Sequence, residues 1–120
     1  MHETFEYVYN NIKNDVHLAS ISGGTDIVSC FIVGNPNQPV FAGEIQAKAL
    51  GMDVDIFDEE GNSIKQTKGE LVCKSTFPSK PIYFWEDKNN EKYFNAYFSK
   101  YKNIWHHGDY AEITINKGFI

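Results

Sequence analysis

Little in this chain is basic, and nothing in it is both long and apolar. Its 16 acidic residues face 11 basic ones, a formal charge of −5. No basic tract of five or more residues occurs, so the electrostatic footprint of a nucleic-acid binder, or of a protein held on an anionic membrane, is missing. No apolar run approaches the ~20 residues that span a bilayer, and residues 1–6 lack the basic and apolar regions of a secretion signal. The expectation is a soluble, cytoplasmic protein with neither nucleic acid nor membrane among its partners. Cysteine is scarce as well. Cys30 and Cys73 stand apart without CxxC spacing, which favours two free buried thiols over a disulfide or a metal site. Internal repeats, low-complexity runs and an interdomain linker are also missing.

What the chain does have is apolar mass for one core. At 42% hydrophobic over 120 residues, it can build a single compact domain and not two. Phe5, Val8, Tyr9 and Ile12 fall at i, i+3, i+4 and i+7, one apolar stripe of a short helix that Asn14 and Asp15 would end. Residues 16–21 read as a buried strand and residues 34–39, by their Asn and Pro content, as a loop. From Val40 the pattern changes to successive short strands. Leu50, Met52, Val54 and Ile56 alternate with Gly51, Asp53 and Asp55, a half-buried strand with its acids facing water. Residues 58–62 form a hairpin loop and residues 68–73 another strand. Asp53, Asp55, Asp58, Glu59 and Glu60 read as a solvated strand face and turn rather than a cation site. Tyr93, Tyr97 and Tyr101 recur at i, i+4 and i+8, which predicts a helix with its aromatics in the core.

These elements define an α+β fold that is mostly β. A short N-terminal helix and a strand from an α/β sheet occupy residues 1–38, and a small antiparallel β unit with one inserted helix follows over 39–120. Asn116 to Gly118 looks like the turn of a hairpin whose return strand has only Phe119 and Ile120, so the chain reads as a piece of something larger. The open sheet edge at 113–120 and the orphaned strand at 16–21 then predict a dimer or strand exchange.

Two segments carry the chemistry. In Ser22, Gly23, Gly24, Thr25 and Asp26, glycines let backbone N–H groups approach an anion. The Thr hydroxyl can donate to a phosphate oxygen, and the Asp carboxylate can hold a Mg2+ that the phosphates also ligate. A structural loop would use the same residue types. In His106, His107, Gly108 and Asp109, a carboxylate after a Gly corner can accept hydrogen bonds from two vicinal ribose hydroxyls. The two histidines do not make a metal site, because neighbours on a strand point to opposite faces. Nucleophiles such as Ser22, Ser29, Cys30 and Cys73 lie in no GxSxG elbow or cysteine-enzyme signature.

Taken in order, residues 15–31, 43–46, 50–52, 68–73, 77–79 and 105–113 resemble the AMP-forming acyl-CoA synthetases of the adenylate-forming superfamily, and within them the acetoacetate-activating branch. The block at 15–31 is the specific one. The resemblance implies an internal part of the large N-terminal domain, ending in a distorted barrel-like subdomain. It implies acetoacetate, ATP, Mg2+ and coenzyme A as substrates and cofactors of the full-length ligase. Position by position, Thr25 would contact the nucleotide phosphate, Asp26 would bind Mg2+ where most relatives carry Glu, and Asp109 would hold the ribose. Ser22, Gly23 and Gly24 would wall the adenine and acyl groups, leaving room for an acyl chain longer than acetyl. No catalytic residue falls in this chain. The phosphate loop, the hinge and the adenylation Lys of the family would lie outside it, so the chain alone is expected to be inactive. The competing reading is a β-rich ligand- or protein-binding module presenting Tyr83, Trp85 and the aromatics from Tyr93 to Tyr101.

Overall fold

The structure, a computed structural model, describes residues 2–120. The stripe at Phe5 forms α1, His2–Asn11, which buries Phe5 and leaves Ile12 exposed beyond its end. Residues 16–21 pair with no strand among the described residues, and Val16 and Ile21 are exposed. This corrects the expected buried strand: a strand needs a partner to form a ladder with, and 16–21 has none among the described residues. The segment is tied down at its polar points instead. Tyr9 Oη accepts the Leu18 N–H at 3.4 Å, and His17 Nε2 donates to Gln46 Oε1 at 2.6 Å.

Six short strands follow as two three-stranded antiparallel sheets. The first has β1 (Ser22–Gly24), β2 (Ser29–Val33) and β3 (Ala47–Lys48) in the order β1-β2-β3. The second has β4 (Val54–Phe57), β5 (Gly69–Cys73) and β6 (Trp105–Ala111) in the order β4-β5-β6. Between β5 and β6 the chain inserts a loop and α2, Glu91–Tyr97. Neither sheet closes, so the β unit is mostly β and antiparallel without being a barrel.

One core joins the two sheets. Ile27, Phe31 and Ile32 pack in the same cluster as Val54, Ile56, Leu71, Trp105 and Phe119. On the other face of the second sheet, Phe57, Val72 and Tyr101 form a smaller cluster. Met52, Val54 and Ile56 are buried as the alternation at 50–56 predicts, but Leu50 is fully exposed and Asp55 is buried. Asp55 tolerates burial because Lys74 Nζ lies 3.0 Å from Oδ2 while Ser63 Oγ donates to Oδ1 at 3.0 Å. A buried carboxylate is kept where a cation and donors satisfy it.

The expected open edge at 113–120 is closed. Thr114 N–H donates to Gly118 O, and Glu112 and Ile120 exchange backbone hydrogen bonds, so the hairpin forms as read. Its return strand then pairs on its other side as well, with Ile45 and Phe119 exchanging N–H···O bonds of 2.9 and 2.8 Å. Glu44 fastens the turn, accepting from Thr114 Oγ1 and Asn116 Nδ2, each at 2.9 Å.

Candidate functional site

Ser22 to Asp26 form one strand and its turn rather than a loop after a strand. β1 pairs with β2 in a register that changes between Ser22 and Gly23. Ser22 faces Ile32 while Gly23 faces Cys30, leaving Phe31 as an extra residue in β2. Such a bulge turns its side chain, and Phe31 sits in the core at 1% exposure. The close approach of the strands requires glycine. A Cβ on Gly23 would come within 2.2 Å of Ser29 O, and one on Gly24 within 2.1 Å of Asp26 Oδ1 and 2.9 Å of His107 Cε1.

The second segment is also a bulge, where the sequence suggested a corner between strands. Glu70 pairs with Tyr110 and Val72 with His106, so His107, Gly108 and Asp109 face Leu71 alone. Gly108 takes φ +90°, a conformation open to glycine and costly for other residues. Because β6 is an edge strand, the bulge pushes Asp109 out of the ladder toward solvent, with its side chain 57% exposed.

The two histidines diverge as strand geometry requires. His106 turns to the buried Glu70, with Nε2 2.9 Å from Oε2. His107 turns the other way, packs edge-on against Phe31 at 4.8 Å between ring centres and stands where a Cβ on Gly24 would come within 2.9 Å of its Cε1. Its Nδ1 accepts the Trp105 Nε1–H at 3.4 Å, which leaves Nε2 to carry the proton 3.7 Å from Asp109 Oδ2. The turn after β1 and the bulge of β6 are thereby brought together through Gly24 and His107.

Asp26 is engaged on both oxygens. Oδ1 accepts the Ile27 N–H at 3.1 Å, and Oδ2 accepts the Tyr97 hydroxyl at 2.7 Å. Burial, and then the hydrogen bond to the Asp26 carboxylate, push the Tyr97 phenol far above its ordinary range, so it stays protonated as a donor. Thr25 is exposed beside it, and an open groove runs along Ile21 to Thr25 and Val28 to Cys30.

The other residues marked in the sequence fall elsewhere. Cys30 is half-buried and Cys73 buried, both free, and burial raises the Cys73 thiol. Of the aromatic surface, Tyr83 and Trp85 are exposed, while Tyr97 and Tyr101 are in the core. The polar roles of Gln46 and Tyr97 were not legible in the sequence, where Tyr97 read only as a core aromatic. Buried Gln46 saturates the loop at 35–39, donating to Asn35 O, Gln38 O and Pro39 O and accepting the Asn35 N–H. Nothing local marks either residue, since their partners are distant in sequence.

Models of protein families return no match to the chain. Solved structures do. The fold is that of a segment of CoA ligases: the chain superposes on an anthranilate CoA ligase in complex with anthranoyl-AMP with a TM-score of 0.72 at 18% identity, over 94% of this chain and 20% of that one. More specifically, this segment is homologous to acetoacetyl-CoA synthetases. It is 54% identical over 98% of its length to that of Rhizobium meliloti and 52% identical to that of Rattus norvegicus. A solved acetoacetyl-CoA synthetase from Streptomyces lividans superposes with a TM-score of 0.81 at 41% identity, over 85% of this chain and 16% of that one. The chain spans 18% of the length of these curated relatives.

Proposed function

We propose that this chain provides the ribose and metal-side contacts for ATP in an acetoacetate-CoA ligase. In that reaction the acetoacetate carboxylate attacks the α-phosphorus of ATP, giving the acyl-adenylate and pyrophosphate. The CoA thiol then attacks the acyl carbon and AMP leaves. Asp109, thrust out by the bulge, accepts from the two ribose hydroxyls. Thr25 donates to a phosphate oxygen, and Ser22, Gly23 and Gly24 wall the adenine and acyl groups. Asp26 suits Mg2+ in kind: it is a hard, acceptor-only oxygen donor, and of about four lone-pair sites on a carboxylate its two hydrogen bonds use two. A single carboxylate completed by phosphates and water is the usual protein share of such a site. When bound, Mg2+ offsets the phosphate charge.

The observation that carries this reading is the crowding at Gly24, where an added Cβ would meet both Asp26 Oδ1 and His107 Cε1, which puts a phosphate-type turn beside the bulge that bears a ribose-type carboxylate. Homology to acetoacetyl-CoA synthetases over nearly the whole chain supports the choice of acid. NMR titration of the 15N-labelled chain with ATP·Mg2+ tests it. Shifts at Gly24, Thr25 and Gly108 are expected, with a dissociation constant on the order of millimolar, and Asp109→Ala should remove the shift at Gly108. Shifts confined elsewhere would overturn the assignment.

A further inference from the structure

Asp26 lies half-buried on the turn at 25–28, between exposed Thr25 and core-bound Ile27, and its bond to the adjacent Ile27 N–H constrains its carboxylate little, because both belong to the same turn. The second bond comes from a different part of the chain. Tyr97 lies 71 residues away, at the end of α2 in the insert between β5 and β6. Its ring is fixed on several sides. Trp105 stacks on it at 3.8 Å with 15° between planes, and Phe84 and Tyr93 meet it edge-on at 5.7 and 5.3 Å. With the ring held in the core at 8% exposure, the hydroxyl cannot follow a movement of the turn, so the carboxylate must come to the hydroxyl.

The chemistry of the donor suits an orienting role. A phenol offers one proton to one lone pair, fixing the carboxylate plane while leaving other lone pairs free. A lysine at the same place would add a positive charge that competes with a cation. We propose that Tyr97 is a positioning residue that aims the Asp26 carboxylate at the nucleotide-bound cation. The inference rests on the assignment of Asp26 made above. Locked rotamers behind a contact group are what preorganised sites require.

The test is paramagnetic broadening by Mn2+·ATP, read at the amides of Thr25, Asp26 and Ile27 in the 15N-labelled chain, its Tyr97→Phe variant and its Asp26→Asn variant. The native chain should broaden saturably. Tyr97→Phe keeps the stack on Trp105 and loses only the hydroxyl, and should need about tenfold more Mn2+·ATP, the typical worth of one hydrogen bond to a charged group. Asp26→Asn should abolish the effect. A Tyr97→Phe titration that matches the native one overturns the positioning role and leaves the Asp26 assignment standing. Absence of localised broadening in the native chain, or equal broadening in Asp26→Asn, overturns that assignment and the positioning role with it. Should Tyr97→Phe fail to fold, the native chain carries the test through its Tyr97 hydroxyl proton. That proton should stay protected from exchange as Mg2+·ATP saturates the site, and its loss on nucleotide binding would overturn the proposal.

Discussion

Glu70 shows how much one side chain can hold. Buried at 6% exposure, it receives Lys100 Nζ on Oε1 and His106 Nε2 on Oε2. Burial pushes its carboxyl up, but the hydrogen bonds from Lys100 and then His106 outweigh that and hold it below the usual range. Asp55 follows the same balance, with burial opposed by Lys74, the Ile56 N–H and Ser63. Both carboxylates therefore titrate lower folded than unfolded. Their stabilisation is fully present above the ordinary range near pH 4 and is lost as pH falls through the depressed folded values. Urea midpoints should thus drop between pH 6 and pH 3, and Glu70→Gln should flatten that dependence. Removing Glu70 altogether, as Glu70→Ala, should cost about 2 kcal/mol, the scale of losing hydrogen bonds to a charged group whose cation partner stays in water. A second residue invites the opposite change. Val28 sits in the same turn as Asp26 at φ +48° with its side chain 85% exposed, a left-handed conformation that a β-branched residue adopts under strain. Val28→Gly should raise stability by about 1 kcal/mol, visible as a higher midpoint in thermal unfolding. At this scale the sequence was half legible. The divergence of His106 and His107 follows from strand periodicity alone. The burial of Asp55 does not, because Lys74 reaches it from a neighbouring strand end that alternation does not reveal.

At the level of elements, both candidate segments turn out to be irregularities within paired strands. Their glycines were visible in the sequence, and so was the need for unusual backbone. The bulges were not, since two residues opposing one is a property of the pair. The helices were legible from periodicity, although α2 carries Tyr93 and Tyr97 and ends before Tyr101, the third residue of the predicted stripe. Residues 16–21 misled for the converse reason: β-branched and apolar content reports fitness for a sheet, and a sheet needs a neighbour. The hairpin at 113–120 was read correctly as a hairpin and incorrectly as an edge, because its partner Ile45 lies far upstream. Phe119, at 1% exposure between Ile45 and Ile113, is the joint of that arrangement. Phe119→Ala should cost about 3 to 5 kcal/mol, comparable to the whole stability of a small domain. Loss of amide dispersion in the NMR spectrum would report it.

As a whole molecule the chain is long for its mass. Its radius of gyration is 16.1 Å, against about 14 Å for a compact domain of this length. Large apolar side chains lie open at Leu50, Ile82, Trp85 and Ile115, and β1 presents an outer edge. Apolar patches and free edges favour association. The isolated chain should therefore self-associate at high concentration, by β1 rather than by the closed hairpin, and light scattering after size exclusion would measure it; a clean monomer at millimolar concentration would count against this. Among the described residues, no helix is long and apolar enough to cross a membrane.

Trp105 links the two contacts proposed for the nucleotide. The same indole supports the Tyr97 ring behind Asp26 and donates its N–H to the imidazole beside Asp109. A shift of that indole would reach both segments at once, so the proposed grips on the sugar and on the cation should vary in step. The energies of Asp26 and Asp109 variants would then fail to add, and drift in the insert bearing α2 would retune the pair as one unit.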